Sequence, residues 1–325
     1  MTSRTAAFRF LFTLCLATVL AAAARGQDYP SRPIMLVVPY PPGGGNDVIA
    51  RIVAGRMSAA LGREIVVENH GGAGGTIATR QVARAAPDGY TLLVATSSLA
   101  INPSIYPDVG YDPRKDFAPI GLMATSQNVL LVNPSVAAGS VAELIARARA
   151  EPGRLTYAST GGGNSVQLAA QLFAEMAHAS LTQVPYKGNA PALTDLLGGH
   201  VDIMFSPLPG AVGLVRDGKV RALAVTGRAR TPLFAELPTV AEAGLPGYDC
   251  ELHYGIVAPA GVPRPIVDKL NAALRAALAE ADVAQRFAAL GAEVSSSTPD
   301  AYAADIAAEE TKWSPIVRRA GVKAD

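Results

Sequence analysis

The chain has little cysteine, almost no tryptophan and little excess of either charge. Its 325 residues include two cysteines and one tryptophan, and 28 Lys and Arg balance 27 Asp and Glu. A nucleic-acid surface needs clustered basic residues to displace the counterions of the phosphates, so this balance excludes a strongly cationic nucleic-acid-binding protein. The hydrophobic share of 50% provides material for two ordinary domains.

Several motifs that carry chemistry are also missing. There is no G-x-x-x-x-G-K-[ST], and no G-x-G-x-x-G with a later acidic residue, so nucleotide binding has no support. There is no G-x-S-x-G elbow, and the four histidines form neither H-E-x-x-H nor a cysteine pairing at metal-ligand spacing. We therefore predict no enzymatic activity, no metal site and no cofactor.

The first 26 residues have the layout of a secretory signal peptide. Two arginines precede an uncharged run of 15 residues over 10–24, and small residues follow. A membrane anchor is the alternative, but a spanning helix needs roughly 20 residues. We predict export to the periplasm and a mature chain that starts near Gln27. Loss of residues 1–26 removes three arginines, so 25 basic minus 27 acidic residues gives −2, and Cys250 has no disulfide partner.

Short apolar runs alternate with helical patterns, which indicates open, mostly parallel sheets covered by helices. The first series predicts strands at 34–38, 65–67 and 91–95, and helices at 48–61 and 76–85. The second predicts strands at 129–132, 155–158, 182–184, 201–205 and 221–225, and helices at 141–150, 166–177 and 191–197. The C-terminal third predicts a strand at 254–258 and helices at 266–278 and 299–320.

The two series predict two α/β lobes with a cleft between them. No Ser/Gly or Pro-rich linker separates them, so extended strands are expected to join the lobes, with crossings near 126–128 and 250–254. We predict that lobe 1 is discontinuous and consists of residues 27–125 plus 251–325, and that lobe 2 consists of residues 126–250.

Three glycine-rich segments, at 41–47, 71–76 and 159–165, each lie between a predicted strand and a predicted helix. Glycine allows the backbone to approach a ligand, and the first N–H groups of a helix are unpaired and favour an anion. A β-branched residue at Gly44 is therefore expected to obstruct both the turn and the anion. The alternative is that these segments are tight turns with helix-capping residues.

None of the three segments contains Lys or Arg, which suits a carboxylate held by backbone dipoles and hydroxyl groups better than a polyphosphate. Lys187 is the nearest candidate cation, and an ordinary surface lysine is the alternative. Ser97, Ser98, Ser159 and Ser165 have no assignable histidine and acid, so we interpret them as hydrogen-bonding hydroxyls.

Seven motifs in order cover essentially the whole mature chain. They are YPSRPI at 29–34, VVPYPPGGGND at 37–47, VENHGGAGG at 67–75, APDGYTL at 86–92, YDPRKDF at 111–117, VPYKG at 184–188 and LPTVAEAG at 237–244. With these motifs the chain resembles the Bug-type solute receptors of tripartite tricarboxylate transporters. Each motif is short, but the ordered set is highly specific.

The resemblance implies a two-lobed type II periplasmic binding protein fold, each lobe a mixed, mostly parallel sheet flanked by helices, joined by two crossover strands. It implies a monomeric receptor that captures a small carboxylate and delivers it to a membrane permease. The ligand-binding residues it implies are Tyr40, Pro42, Gly43, Gly44, Asn46, Asp47, Gly74, Thr76, Ser97, Ser159, Thr160, Asn164, Ser165, Tyr186, Ser206 and His253.

Some positions depart from the family pattern. Ser206 stands where relatives carry Asp or Asn, which removes a partner for a ligand ammonium, so we expect an amine-free di- or tricarboxylate or an aromatic acid. His253 stands where a Trp is common, and its ordinary pKa predicts a mostly neutral side chain at about pH 7. It either contacts the ligand or packs in the cleft. A ligand-sensing partner of a membrane signalling protein and a periplasmic enzyme are alternative functions.

Overall fold

The computed structural model describes residues 29–160, 164–186 and 188–321. The signal peptide predicted for residues 1–26 lies outside these ranges, as do residues 161–163 of the third glycine-rich segment and Lys187. Among the described residues, none of the helices combines the length and the hydropathy that a bilayer span requires.

Ten strands and ten α-helices are described. In chain order they are β1 (Ile34–Val38), α1 (Gly45–Leu61), β2 (Ile65–Asn69), α2 (Thr76–Ala83), β3 (Thr91–Thr96), α3 (Ser98–Ile101), β4 (Phe117–Val132), α4 (Val141–Ala150), β5 (Thr156–Ser159), α5 (Ser165–Met176), β6 (Thr182–Pro185), α6 (Asn189–Gly198), β7 (Ile203–Pro207), α7 (Leu208–Arg216), β8 (Arg221–Val225), β9 (Glu251–Pro259), α8 (Arg264–Leu278), α9 (Ala281–Ala289), β10 (Ala292–Val294) and α10 (Pro299–Ala320).

Two parallel units position the three glycine-rich segments. Strand β1 lies between β2 and β3, and β5 lies between β6 and β7, with parallel pairing throughout. Parallel neighbours need crossover connections, which α1, α2 and the later helices supply. Since the carboxyl ends of parallel strands share one edge of a sheet, the first two segments meet at the edge of the first unit.

Strands β4 and β9 connect the two units. The first half of β4 pairs with β9 and β10, and its second half pairs with β7 and β8. All the antiparallel pairings among the described strands involve β4 or β9. The α/β class with mixed sheets flanked by helices is therefore confirmed, and the antiparallel pairs arise where the chain crosses between the units.

The strand predicted at 129–132 is wrong in extent, because β4 has 16 residues and starts at Phe117. Pro119 and Gly121 lie in its first half, where the register with β9 shifts. Both residue types are unusual inside strands, so the sequence pattern does not indicate a strand there. Helices α3, α7 and α9 and strand β10 were not predicted. Helix α7 contains Gly210 and Gly213, which weaken a helical pattern.

The hydrophobic core forms separate clusters on the two units, and α10 packs against both. Its first half contributes Tyr302 and Ile306 to a cluster that includes Val37 of β1. Its second half contributes Trp313 to the cluster that contains Phe173 of α5. The predicted lobe limits remain a prediction. The last turns of α10 belong to the range predicted for lobe 1, but they pack on the core of the second unit.

Candidate functional site

The first glycine-rich segment ends in an exposed helix start. Gly44 is the N-cap of α1 and no side chain caps the helix, so the capping role considered for Asn46 and Asp47 is wrong. Residues 41–45, which include Pro42, are exposed. Within the described residues the N–H groups of Gly45 and Asn46 have no hydrogen-bond acceptor. With the helix dipole, these free donors can hold an anion.

Asp47 shapes this loop from inside. The Gly43 N–H donates to its Oδ2 at 2.9 Å, and the Arg51 Nε donates to the same oxygen at 3.1 Å. Burial raises the pKa of Asp47, but the hydrogen bonds from Arg51 and Gly43 outweigh it and hold the pKa below its usual range. Arg51 also donates to Asn69, whose amide donates to the Tyr40 carbonyl at 3.0 Å. Asp47 therefore holds the loop in place by the hydrogen bonds that it accepts from Gly43 and Arg51.

The expected requirement for glycine at Gly44 in the turn is wrong, whereas the expected obstruction of an anion there stays a prediction. Gly44 has a φ of −77°, and a Cβ there would lie 3.9 Å from the Pro41 carbonyl oxygen, an ordinary contact. Gly43 has a φ of +84°, in the left-handed region that favours glycine. The turn therefore depends on Gly43.

Polar groups of the second segment are hydrogen-bonded within the loop and to Asn102. Gly74 and Gly75 have φ values of +61° and +89°. Thr76 is buried and donates its hydroxyl to the Ala73 carbonyl at 2.9 Å. The Asn102 side chain donates to the Gly74 carbonyl at 3.0 Å. Asn102 is a structural partner of the site that the sequence reasoning missed.

Three predicted residues meet at the end of β3. The Tyr40 hydroxyl lies 3.1 Å from Thr96 Oγ1 and donates to Ser98 Oγ at 3.1 Å. The Ser97 N–H donates to the His253 carbonyl at 3.1 Å, and Ser97 Oγ accepts the His253 N–H at 3.1 Å. These bonds join the first loop, β3 and β9.

His253 is paired with a residue of α10. Its Nδ1 lies 3.0 Å from Asp305 Oδ2. Burial lowers the pKa of His253, but the hydrogen bond with Asp305 and the charges of Glu309, Asp305 and Glu251 outweigh it, so the pKa is raised. The expectation of an unperturbed pKa for His253 is therefore wrong, because the sequence does not reveal that Asp305 is its neighbour.

The third segment starts α5 with a side-chain cap. Asn164 accepts the Gln167 N–H at 3.2 Å, so the capping interpretation is confirmed here, and its amide donates to Thr160 Oγ1 at 2.5 Å. Ser159 is buried at the end of β5. The Ser165 carbonyl accepts a hydrogen bond at 3.3 Å from Asn128. Asn128 was not predicted; it is fully buried in β4, and its Oδ1 has no partner among the described residues.

Two predicted residues of the second unit use their hydroxyls locally. The Tyr186 hydroxyl donates to Asp195 on α6 at 2.9 Å. Burial and then Asp195 raise the pKa of Tyr186 to about 12. Ser206 is buried and donates to the Pro207 carbonyl at 3.3 Å.

A narrow crevice with a volume of about 10 Å³ lies between the two units. Ser97 and Ser98 line it from the first unit and Ser165 from the second. Its lining residues include neither Lys nor Arg: Ser97, Ser98, Ile101, Ser165, Leu168, Cys250, Glu251, Leu252 and Trp313. Cys250 is buried, which raises the pKa of its thiol and leaves it inert as a nucleophile. Within the described ranges no cluster of His, Cys, Asp and Glu could hold a metal ion.

Comparison with known proteins identifies the family. Residues 49–322 match the family described as tripartite tricarboxylate transporter family receptor. Protein BugT of Bordetella pertussis is 38% identical over 306 residues, which are 94% of this chain and 94% of that protein. R. palustris Rpa4515 with adipate is 38% identical, with a TM-score of 0.81 over 91% of this chain and 99% of that chain. MatC (Rpa3494) from Rhodopseudomonas palustris with bound malate is 35% identical, with a TM-score of 0.76 over 89% of this chain and 100% of that chain. The resemblance carried by the sequence motifs is thus confirmed, and the chain belongs to the tripartite tricarboxylate transporter receptor family.

Proposed function

We propose that this protein is an exported, monomeric receptor that binds a small carboxylate between two lobes and delivers it to a tripartite tricarboxylate-type permease. The lobes are residues 27–125 plus 251–325 and residues 126–250. The observation that carries this proposal is the exposed start of α1, where the N–H groups of Gly45 and Asn46 are unpaired. Such amides bind a carboxylate without a basic side chain.

The serines that line the cleft from both units support closure around the ligand. Ser97 and Ser98 belong to one unit and Ser165 to the other, so a ligand between them contacts both. A ligand drives closure only through better contacts in the closed state, and contacts from both sides satisfy that condition. The permease then distinguishes a loaded receptor from an empty one by its shape.

An amine-free di- or tricarboxylate or an aromatic acid is the favoured ligand. Ser206 is uncharged at a position where a carboxylate would pair with a ligand ammonium, which favours an acid without an amine. The two similar structures described above hold adipate and malate, and both ligands are amine-free dicarboxylates. Export through the segment at 1–26 would bring the receptor to the periplasm.

A proline substitution tests the amide donors directly. Gly45 is the first residue of α1, where proline is favoured, and Gly44 before it has the extended conformation that a following proline requires. A Cβ at Gly45 would meet no atom within 4 Å. Gly45→Pro therefore removes one N–H and keeps the helix, whereas Gly45→Ala keeps both the N–H and the helix.

Calorimetry with adipate, malate, benzoate and glutamate measures the effect. We expect Gly45→Pro to weaken binding of the preferred acid roughly tenfold or more, the value of one charge-assisted hydrogen bond, and Gly45→Ala to bind like the wild type. Equal affinities of the two variants would refute the assignment of the loop. Binding of glutamate alone would refute the ligand class, and the acid that co-purifies with the protein from its own host, identified by mass spectrometry, gives an independent answer.

A further inference from the structure

One face of α2 combines an exposed apolar side chain with basic side chains. We call the face formed by Ile77, Arg80, Gln81 and Arg84 the α2 patch; it borders an open surface depression of about 240 Å³. These residues are spaced at i, i+3, i+4 and i+7, so they share one side of the helix. Ile77 is 53% exposed, the most exposed of the large hydrophobic side chains among the described residues.

The two arginines of the α2 patch have no acidic partner. Neither Arg80 nor Arg84 forms an ion pair within the described residues, and the buried Nε of Arg80 has no hydrogen-bond acceptor there. Exposed arginines elsewhere in the described residues, among them Arg275 and Arg286, also lack an ion pair, so the distinguishing feature of the α2 patch is the exposed Ile77 beside its two arginines. The α2 patch therefore presents an apolar side chain beside two unpaired positive charges.

The α2 patch is also in contact with the second glycine-rich segment. A Cβ at Gly72 would lie 2.8 Å from Ile77 Cδ1, so this side chain packs directly on the loop. Gly72 has a φ of +130° and is held in a conformation that L residues rarely adopt. Any displacement of this loop when a ligand binds would change the packing of Ile77.

We propose that the α2 patch docks on the permease, on an extracytoplasmic surface with an apolar pocket bordered by carboxylates. This inference rests on the proposed function, because it concerns the partner of the same receptor. Charge complementarity selects an acidic partner, and the aliphatic stems of the arginines extend the apolar surface around Ile77. The contact with Gly72 places the docking surface against the second glycine-rich segment, whose Gly71 adjoins Pro41 of the proposed ligand loop.

Uptake by whole cells tests the α2 patch. Cells of the native host that lack the chromosomal copy receive wild type, Ile77→Ser, Arg84→Glu or the double variant, and the initial uptake of radiolabelled adipate and malate is measured. We expect the double variant to lower uptake roughly tenfold or more, because an interface loses both an apolar anchor and a charge. Its calorimetric Kd for the transported acid is expected to stay within about twofold of the wild type.

Two controls separate docking from other effects. Arg275→Glu reverses an exposed arginine in the last turn of α8, as Arg84→Glu does at the end of α2, and is expected to transport normally. Ile77→Leu keeps the apolar anchor and is expected to retain uptake.

Each remaining outcome overturns a distinct claim. Normal uptake by the double variant, or an equal loss in Arg275→Glu, overturns the docking proposal. A wild-type dimer that dissociates on Ile77→Ser in sedimentation would assign the patch to a second copy and also overturns it. A wild type that binds these acids in calorimetry but restores uptake of neither overturns the proposed transport function itself, and the docking proposal with it.

Discussion

Thr226 bonds to both chain segments that cross between the two units. It is fully buried and lies between Asn128 of β4 and Cys250 before β9. Its N–H donates to the Asn128 carbonyl at 3.0 Å, and its carbonyl accepts the Cys250 N–H at 2.8 Å. Its hydroxyl accepts the Asn128 N–H at 2.9 Å and donates to the Cys250 carbonyl at 2.8 Å. One side chain therefore satisfies a buried donor on one segment and a buried acceptor on the other.

Replacement of Thr226 by valine keeps the shape and removes these two side-chain hydrogen bonds. Asn128 and Cys250 are buried, so water cannot replace the hydroxyl without rearrangement. An unsatisfied buried polar group costs about 1–3 kcal/mol, so Thr226→Val is expected to lower the free energy of unfolding by about 2–6 kcal/mol. Thr226→Ser keeps the hydroxyl, loses one methyl group and is expected to cost about 1 kcal/mol.

Urea unfolding followed by tryptophan fluorescence measures both variants. The chain has one tryptophan, Trp313, which is buried in the core of the second unit and reports its exposure. A loss in Thr226→Val that is below about 1 kcal/mol, or no larger than that of Thr226→Ser, would refute the role of the hydroxyl.

Three further predictions concern the loop, the crossing and pH. Gly43→Ala is expected to cost about 1–2 kcal/mol in thermal unfolding because its φ is +84°, whereas Gly44→Ala, at −77°, should cost under about 0.5 kcal/mol; equal losses would contradict this. Gly227→Ala places a Cβ 2.5 Å from a carbon of the Gln127 side chain and should lower the free energy of urea unfolding by about 1–3 kcal/mol, and an unchanged value would show that the crossing has room. The raised pKa of His253 makes its pair with Asp305 stabilising below about pH 6.5, and this stability is lost as pH rises through the folded pKa. The stability advantage of wild type over Asp305→Asn should therefore shrink above about pH 6.5 in urea unfolding, and a constant advantage would contradict the assignment.

The sequence predicted those elements whose side chains repeat with a clear period. Strand β1, helix α4 and helix α10 have the predicted bounds, since apolar spacing and the cap at Thr298 define them locally. Asn164 was a predicted capping candidate because capping depends on residues three positions apart. The first half of β4 was missed because its pairing with β9, more than a hundred residues later, has no local signal around Pro119.

The features of the candidate site also separate into those with a local sequence signal and those that depend on long-range contacts. The sequence by itself determined that a helix follows each of the three glycine-rich segments, and with its motifs it determined the family, because both are properties of neighbouring residues. The tertiary structure alone decided that Asp47 folds back on Gly43, that His253 meets Asp305 and that Thr226 joins both crossing segments. These contacts depend on distances between residues far apart in the chain, and the burial and pKa of each group follow from those distances.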